Sequence, residues 1–540
     1  MRLPAAVLAA LVAVAAPLSA QRGHGTIVVI TGQYPGLPIP TLIQGTSNQD
    51  VADLLFLRLA RLGPTLTSEG DAGFVPQLAQ RWSRRDSLTL VFDLDPRARW
   101  HDGTPVTSRD VVFTFARAKD PAVNPTLATL LRDVTSVTAD GDRRVVIRFA
   151  RWYPSQFYDA TYQVQVLPAH LLEGLAPAAV ATSPFAQHPV GDGPYRWVRG
   201  VAGQFVELAA NPEYFLGAPR LDRVVFRVAA DADARMNLLL SGEGDALESI
   251  LPVANQDRVR ADSALRLVAV PSFLLGYFIY NQRDQTDRTR PHPILGDLRV
   301  RRALTLALDR AAMARSAFGP AAQVPVGPAS SSLWVRPTEP AAAQDTAAAN
   351  ALLAAAGWAP GSDGIRTRNG ARLALDLIFP NTSAARRQIA LQAQAAWKAV
   401  GADVTLEPLD FATYLDRRKT GRFDLDLTAV NQDPNPTGLA QSWSCGGIGG
   451  SNVGGYCDPQ VDSLMQRATV ATRSLPLWQE VLRRIDADQP AAFLFAPPTM
   501  IAIHRRYRDV VIHPESFWSG LGEWSVAPGA ELPRDTARTR

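Results

Sequence analysis

Few side chains in this 540-residue chain stand at spacings that do chemistry. His101 and Asp102 are adjacent, and an imidazole beside a carboxylate is half of an acid–base site. No G-x-S-x-G or H-E-x-x-H pattern supplies a nucleophile or a metal, and Gly103 makes a turn the simpler reading. Gly191 and Gly193 suggest a phosphate loop, but no Gly-Lys-Ser/Thr follows them. The seven histidines show no ligand-like spacing, so neither metal nor cofactor is expected. Cys445 and Cys457 bracket a glycine-rich loop, CGGIGGSNVGGYC. In an oxidising compartment the pair forms a disulfide by default. The acid best placed to bind something is Asp433, within residues 429–436 (AVNQDPNP). It follows a strand-like run and sits among Asn and Pro. Its carboxylate can receive a cation through a charge-assisted hydrogen bond of about 1.5–3 kcal/mol. Alternatively, it caps its own turn, as Asp before Pro often does. Arg417, Arg418 and Arg422 lie near in sequence, and nothing singles one out as a partner for an anion.

The elements that must position these residues alternate in type. TIVVIT at the start reads as a buried strand, and residues 51–62 as a helix. Leu88, Leu90, Phe92 and Leu94 have the period of a strand with one buried face. Thr107 and Asp110 resemble a capping box opening a helix whose face holds Val111, Val112 and Phe115. Asp140-Gly141-Asp142 joins two strand-like runs as a hairpin. Tyr277 to Tyr280 form an aromatic strand stopped by Asn281 and Gln282. A helix then starts near Asp297, a plausible N-cap, with Val300, Ala303, Leu304, Ala307 and Leu308 on one face. Further on come helix 344–357, strand 373–379, helix 386–400, strand 404–409 and an apolar run at 493–503. Strands alternating with helices argue for an α/β protein with mixed sheets flanked by helices.

This length exceeds a single core, so two or more domains are expected. An apolar share of 46%, a charged share of 20% and a net charge of +4 are ordinary for a globular protein. No Lys/Arg run suggests a nucleic-acid surface. Residues 1–20 have the charged start, short apolar run and small-residue end of a signal peptide. No Cys follows that run to carry a lipid. The mature protein is therefore expected to begin near Gln21, soluble and periplasmic.

Several segments together resemble one family, the extracytoplasmic solute-binding proteins of ABC importers in the peptide/nickel class (family 5). They are Leu78-Ala79-x-x-Trp82, Trp100-His101-Asp102-Gly103 with Pro105, Thr107 and Asp110-Val111, and Gly191-Asp192-Gly193-Pro194-Tyr195, where Asp192 replaces the usual Thr. Gly242-Glu243-Gly244-Asp245, Asn281-Gln282 with the Arg301-Arg302-Ala303-Leu304 helix, and Tyr414 to Asp424 complete the pattern. The resemblance implies a two-lobed periplasmic-binding-protein-like fold (class II, with an extra domain in the first lobe) and a ligand cleft between lobes. The first lobe is expected to hold 21–65, 190–280 and 505–533, the accessory domain 66–189, and the second lobe 281–504. The chain would cross between lobes near Gly191 and Asn281, and 534–540 would fray. Asp433 would pair with the α-ammonium of a peptide, and the backbone of Asn431 and Gln432 would pair with it as an added strand. Trp443, Asn452 and Tyr456 would line the cleft wall. Pro434 and Val430 depart from the family's common aromatic and Trp. The implied function is non-enzymatic. A monomer captures a small molecule, first of all a short peptide, and delivers it to a membrane ABC permease. Oligosaccharides, metal chelates and opine-like compounds are the other guests of such folds. A secreted hydrolase is the rival from another class.

Overall fold

A computed structural model describes residues 25–43 and 45–536. The expected signal peptide lies outside the described residues. In chain order, strand β1 (Thr26–Thr31) and helix α1 (Thr46–Leu55) come first. Strands β2 (Ala79–Asp86) and β3 (Thr89–Leu94), helix α2 (Ser108–Ala118), strands β4 (Val134–Ala139) and β5 (Arg144–Phe149), and helix α3 (Gln156–Thr161) follow. Next are β6 (Tyr195–Val201), β7 (Phe205–Ala210), β8 (Arg223–Val228), β9 (Ala246–Leu247) and β10 (Leu265–Val270). The chain continues through β11 (Leu274–Tyr280), helix α4 (Leu298–Leu306), β12 (Ala374–Pro380), helix α5 (Ala384–Ala399), β13 (Asp403–Leu409), β14 (Leu425–Asn431) and β15 (Ala491–Phe495). It returns with β16 (Thr499–His504).

Three sheets organise these strands. A seven-stranded sheet, β10-β16-β9-β1-β8-β7-β6, is the heart of the first lobe. A four-stranded antiparallel sheet, β2-β3-β5-β4, forms the accessory unit. A five-stranded sheet, β13-β12-β14-β11-β15, is the heart of the second lobe. Along β11, Phe278 and Tyr280 enter one core with Val300 and Leu304 of α4, while Tyr277 and Ile279 enter another with Trp443 and Phe493. That alternation is the strand period of two. The expected face of α4 is fully buried, and Asp297 caps it by accepting from the Arg299 amide at 2.9 Å. Asp110 closes its capping box by accepting from the Thr107 amide at 2.7 Å.

The lobe crossings differ from expectation. β11 already pairs with β14 and β15, so the chain leaves the first lobe between Val270 and Leu274 and not at Asn281. It returns between Phe495 and Thr499, because β16 pairs with β9 and β10. Pairing partners, invisible to local pattern, decide which lobe a strand joins. Asn281 is instead a buried clasp inside the second lobe, donating to the carbonyls of Phe423 (2.7 Å) and Gly421 (3.1 Å). The tail is also better anchored than expected. Residues Pro533–Thr536 form a helical turn. The buried Asp535 accepts from the Thr26 amide (2.7 Å) and the Arg506 guanidinium (2.6 Å).

Direction matters more than strand order. β1 runs parallel to β8 and β9, and β10 shares that direction because both β9 and β10 oppose β16. The first crossing therefore leaves from the carboxyl edge of the first-lobe sheet. It arrives where β14 ends, since Leu274 pairs with Asn431. β12 runs parallel to β13 and β14 and ends at that same edge. The carboxyl edges of both parallel sets thus meet at the hinge, and α/β sheets bind ligands outside such edges.

Candidate functional site

Asp433 stands two residues beyond β14, on the second-lobe side of the gap. Its Oδ1 accepts from the Asn435 amide at 2.7 Å and from the Tyr158 hydroxyl at 2.8 Å. The first bond is the turn cap that an Asp-Pro sequence favours. The second crosses from helix α3 of the accessory unit, and Ser155 Oγ meets Asn435 Oδ1 beside it at 3.4 Å. Burial raises the Asp433 carboxyl above its usual range, opposed by the hydrogen bonds from Asn435, Tyr158 and Gln163. Yet Asp433 keeps open surface. Both hold if that surface faces an enclosed gap rather than bulk water. Tyr158 is itself buried, and burial followed by the charge of Asp433 raises its hydroxyl, which stays protonated and donates.

The gap has an aromatic and charged lining. Tyr158 stacks on Tyr162, with ring centroids 4.7 Å apart, and the Arg58 guanidinium lies 5.3 Å from the Tyr162 centroid. Arg58 pairs with Asp53 at 2.7 Å, and Gln49 and Gln165 donate to the same carboxylate. Tyr162 feels Arg58, Asp433, Glu515 and Asp53 together, so groups from both lobes converge on one ring. On the first-lobe side Glu515 and Asp53 lie near Tyr162, and Asp50 of α1 neighbours Glu248, just past β9. Where β12 gives way to α5, a cavity of about 520 Å³ is lined by Asn381, Thr382, Ser383, Arg387, Gln388 and Leu391.

The remaining expected residues divide. Asn431 ends β14 with an exposed side chain. β12 pairs with β14 only at Leu425 and Asp426, so the outer edge of Leu427 to Asn431 carries no strand among the described residues. Gln432 does not offer a free backbone donor. Its amide bonds to the Phe273 carbonyl (2.9 Å), and its side chain clasps Ser330 N and Pro328 O, both at 2.7 Å. Trp443 is core and not cleft wall, because its ring packs against Tyr277 and Phe493, each at 5.5 Å. Asn452 is a buried knot, bonding Ser444 O, Tyr456 O and Tyr456 N. It supports the loop closed by the Cys445–Cys457 disulfide. His101 and Asp102 do not form a dyad. His101 sits between Gly191 N (3.1 Å) and Gly193 O (3.0 Å), and burial pushes its imidazole down to about 4, so it is uncharged at neutral pH. Asp102 pairs with His170 at 2.8 Å. Among the described residues, no group of His, Cys, Asp and Glu is arranged to hold a metal ion.

Sequence pattern missed Tyr158, Asp50, Glu248, Glu515 and Arg387. Tyr158 meets Asp433 only through long-range packing and carries no local signature.

The family model for bacterial extracellular solute-binding proteins, family 5, matches residues 73–450. The chain belongs to that family. A Brucella ovis protein named as an ABC transporter peptide-binding protein is 30% identical over 417 residues, covering 75% of each chain. The solved oligopeptide-binding protein AppA of Bacillus subtilis, in complex with a nonapeptide, superposes with a TM-score of 0.74 at 22% identity, covering 94% of this chain and 99% of that one. NikZ of Campylobacter jejuni, in complex with Ni(L-His), gives 0.74 at 21%, covering 93% and 99%. This family-5 protein is therefore the solute-binding component of an ABC importer and not an enzyme. It takes a small ligand and delivers it to a membrane permease. No described helix is long and apolar enough to cross a membrane.

Proposed function

We propose that this solute-binding protein captures a short peptide in the gap between its lobes, with the α-ammonium on Asp433. The carrying observation is the Tyr158–Asp433 hydrogen bond of 2.8 Å. It puts an acid of the second lobe against the accessory unit, at a point only a closed molecule can assemble. An ammonium entering there would bring a positive charge to that carboxylate and turn a hydrogen bond with one ionised partner into an ion pair. The open outer edge of β14 supports the reading, since an extended peptide can add to such an edge. The Asn381–Arg387 cavity begins at the same sheet edge and offers a guanidinium for an anionic group. Only contacts made better in the closed state drive closure, and an ammonium bridging Asp433 and the aromatic pair is such a contact. The protein works as a monomer in the periplasm, exported by residues 1–20.

Mass spectrometry of material copurifying with the protein should show short peptides, chemically intact. Asp433→Ala should then weaken the best of them about tenfold or more, roughly 1.4 kcal/mol. An unchanged dissociation constant removes Asp433 from the site, and a copurifying metal chelate in place of peptide removes the peptide.

A further inference from the structure

Loop 63–73 reaches the second lobe and completes a helix there. Its ends are pinned together where the short strands Ala60–Leu62 and Phe74–Pro76 pair, and the Gly63 amide donates to the Gly73 carbonyl at 2.8 Å. A Cβ on Gly63 would stand 2.7 Å from that carbonyl oxygen, so the closure needs glycine. Leu66 is buried in the core shared by the first lobe and the accessory unit, with a left-handed φ of 54°. A leucine keeps such a conformation only where the surrounding packing holds it. The Gly70 amide donates to the Pro154 carbonyl at 2.9 Å, just before α3. The loop and the helix that carries Tyr158 are thus tied into one body.

At the tip of the loop, Ser68 Oγ accepts from the Trp334 indole at 3.2 Å, and Glu69 meets the buried Ser474. Ser474 opens helix Leu475–Asp488, which packs into the second-lobe core through Trp478, Val481 and Leu482. The Glu69 carboxylate accepts the Ser474 hydroxyl at 2.6 Å and the Ser474 amide at 3.3 Å. A serine at the start of a helix usually turns its oxygen to the helix's own free amides. Ser474 makes no such cap and gives its hydroxyl to Glu69 instead. The carboxylate stands where the helix dipole favours an anion. These bonds join protein to protein, span the lobes away from the hinge and use no part of Asp433. We propose that loop 63–73 is a latch, and that Glu69 sets guest affinity without touching the guest. Hinge opening breaks the latch, so it stabilises the shut arrangement by the same amount whatever is enclosed. A larger shut population raises the apparent affinity for every guest in proportion. Asp433 chooses among guests, and Glu69 sets how firmly any of them is kept. The latch goes beyond the peptide reading and does not depend on it.

The test uses the full mature protein freed of copurified guest. Hydrogen exchange of segment 471–478 is followed first, with no guest added. In Glu69→Ala it should quicken about fivefold or more, and Glu69→Gln, which keeps an acceptor, should fall between. Thermal melts confirm that the variants are folded. A pool of two- to five-residue peptides with neutral, lysine or glutamate side chains is then offered below saturation, and retained species are quantified by mass spectrometry. Glu69→Ala should lower retention of all of them by one common factor, about fivefold, and leave their proportions unchanged. Ser474→Ala should weaken retention too, and the double variant should lose little more than Glu69→Ala alone, because both changes remove the same bond. Unchanged exchange in Glu69→Ala overturns the latch. Quickened exchange with unchanged retention reduces the bond to a local cap and overturns its hold on the guest. Altered proportions among the peptides overturn it as well, since Glu69 would then touch the guest. A pool ignored by the unaltered protein overturns the peptide reading, and the exchange result alone then decides the latch.

Discussion

At the residue scale, the gap is set by carboxyl groups held out of water. Burial pushes Asp159 up to about 7, with the Tyr153 hydroxyl opposing and Asp433 adding to the rise. Burial likewise carries Glu515 to about 7. An unfolded carboxyl titrates near about 4. Between these values the folded chain holds protons that the unfolded chain has lost, so stability falls as pH rises through that window. Guest-free protein should therefore melt at a higher temperature at about pH 5 than at about pH 8. Asp159→Asn keeps an acceptor for Tyr153, which donates at 2.6 Å, but removes the titration. The fall in melting temperature should shrink in that variant, and an unchanged fall would rule Asp159 out as its source. Asp433 was singled out as an acid in an Asn- and Pro-containing loop after a strand-like run, and its cap on the Asn435 amide is the turn that Asp before Pro favours. Gln432 was not, because only the fold shows its side chain spent on Pro328 and Ser330.

At the element scale, most local signals were read well and long-range ones poorly, although the helix expected over 51–62 stops at Leu55 and Ala60–Leu62 is a strand paired with Phe74–Pro76. The Asp297 cap, the buried stripe of α4, the Thr107–Asp110 box and the β4–β5 hairpin are all written within a few residues of sequence. The crossing at Pro271 to Phe273 was not, because β11 looks the same whichever sheet it joins. Trp443 misled for a related reason. It lies close in sequence to the gap-facing loop, yet its ring turns into the core formed by Tyr277 and Phe493. Two substitutions test this level. Leu304→Ala, at a fully buried position of α4, should cost about 2–5 kcal/mol in chemical denaturation. A cost under half of that would mean the helix packs more loosely than described. Replacing both Cys445 and Cys457 by Ser should cost about 3 kcal/mol in the chain-entropy model. No loss would show that the glycine-rich loop is already ordered by Asn452 and its neighbours.

At the scale of the molecule, two crossings lie side by side and act as the hinge. Ser272 Oγ donates to the Pro497 carbonyl at 2.6 Å, tying one crossing to the other. Away from the hinge, Trp334 donates to Ser68 Oγ (3.2 Å) and Ser474 Oγ to Glu69 (2.6 Å), contacts that join the second lobe to the segment leading into the accessory unit. With Tyr158–Asp433 they join the two lobes away from the hinge, and in the proposed reading a bound ammonium adds to these contacts. The two-lobed plan was legible from family resemblance. The facing of the two carboxyl edges emerged only from strand direction. Calorimetric titration of the guest-free protein with a copurified peptide and with its N-acetylated form tests the central claim most directly. The account predicts that acetylation, which removes the ammonium and nothing else, weakens binding about tenfold or more. Equal affinity of the two forms would contradict it.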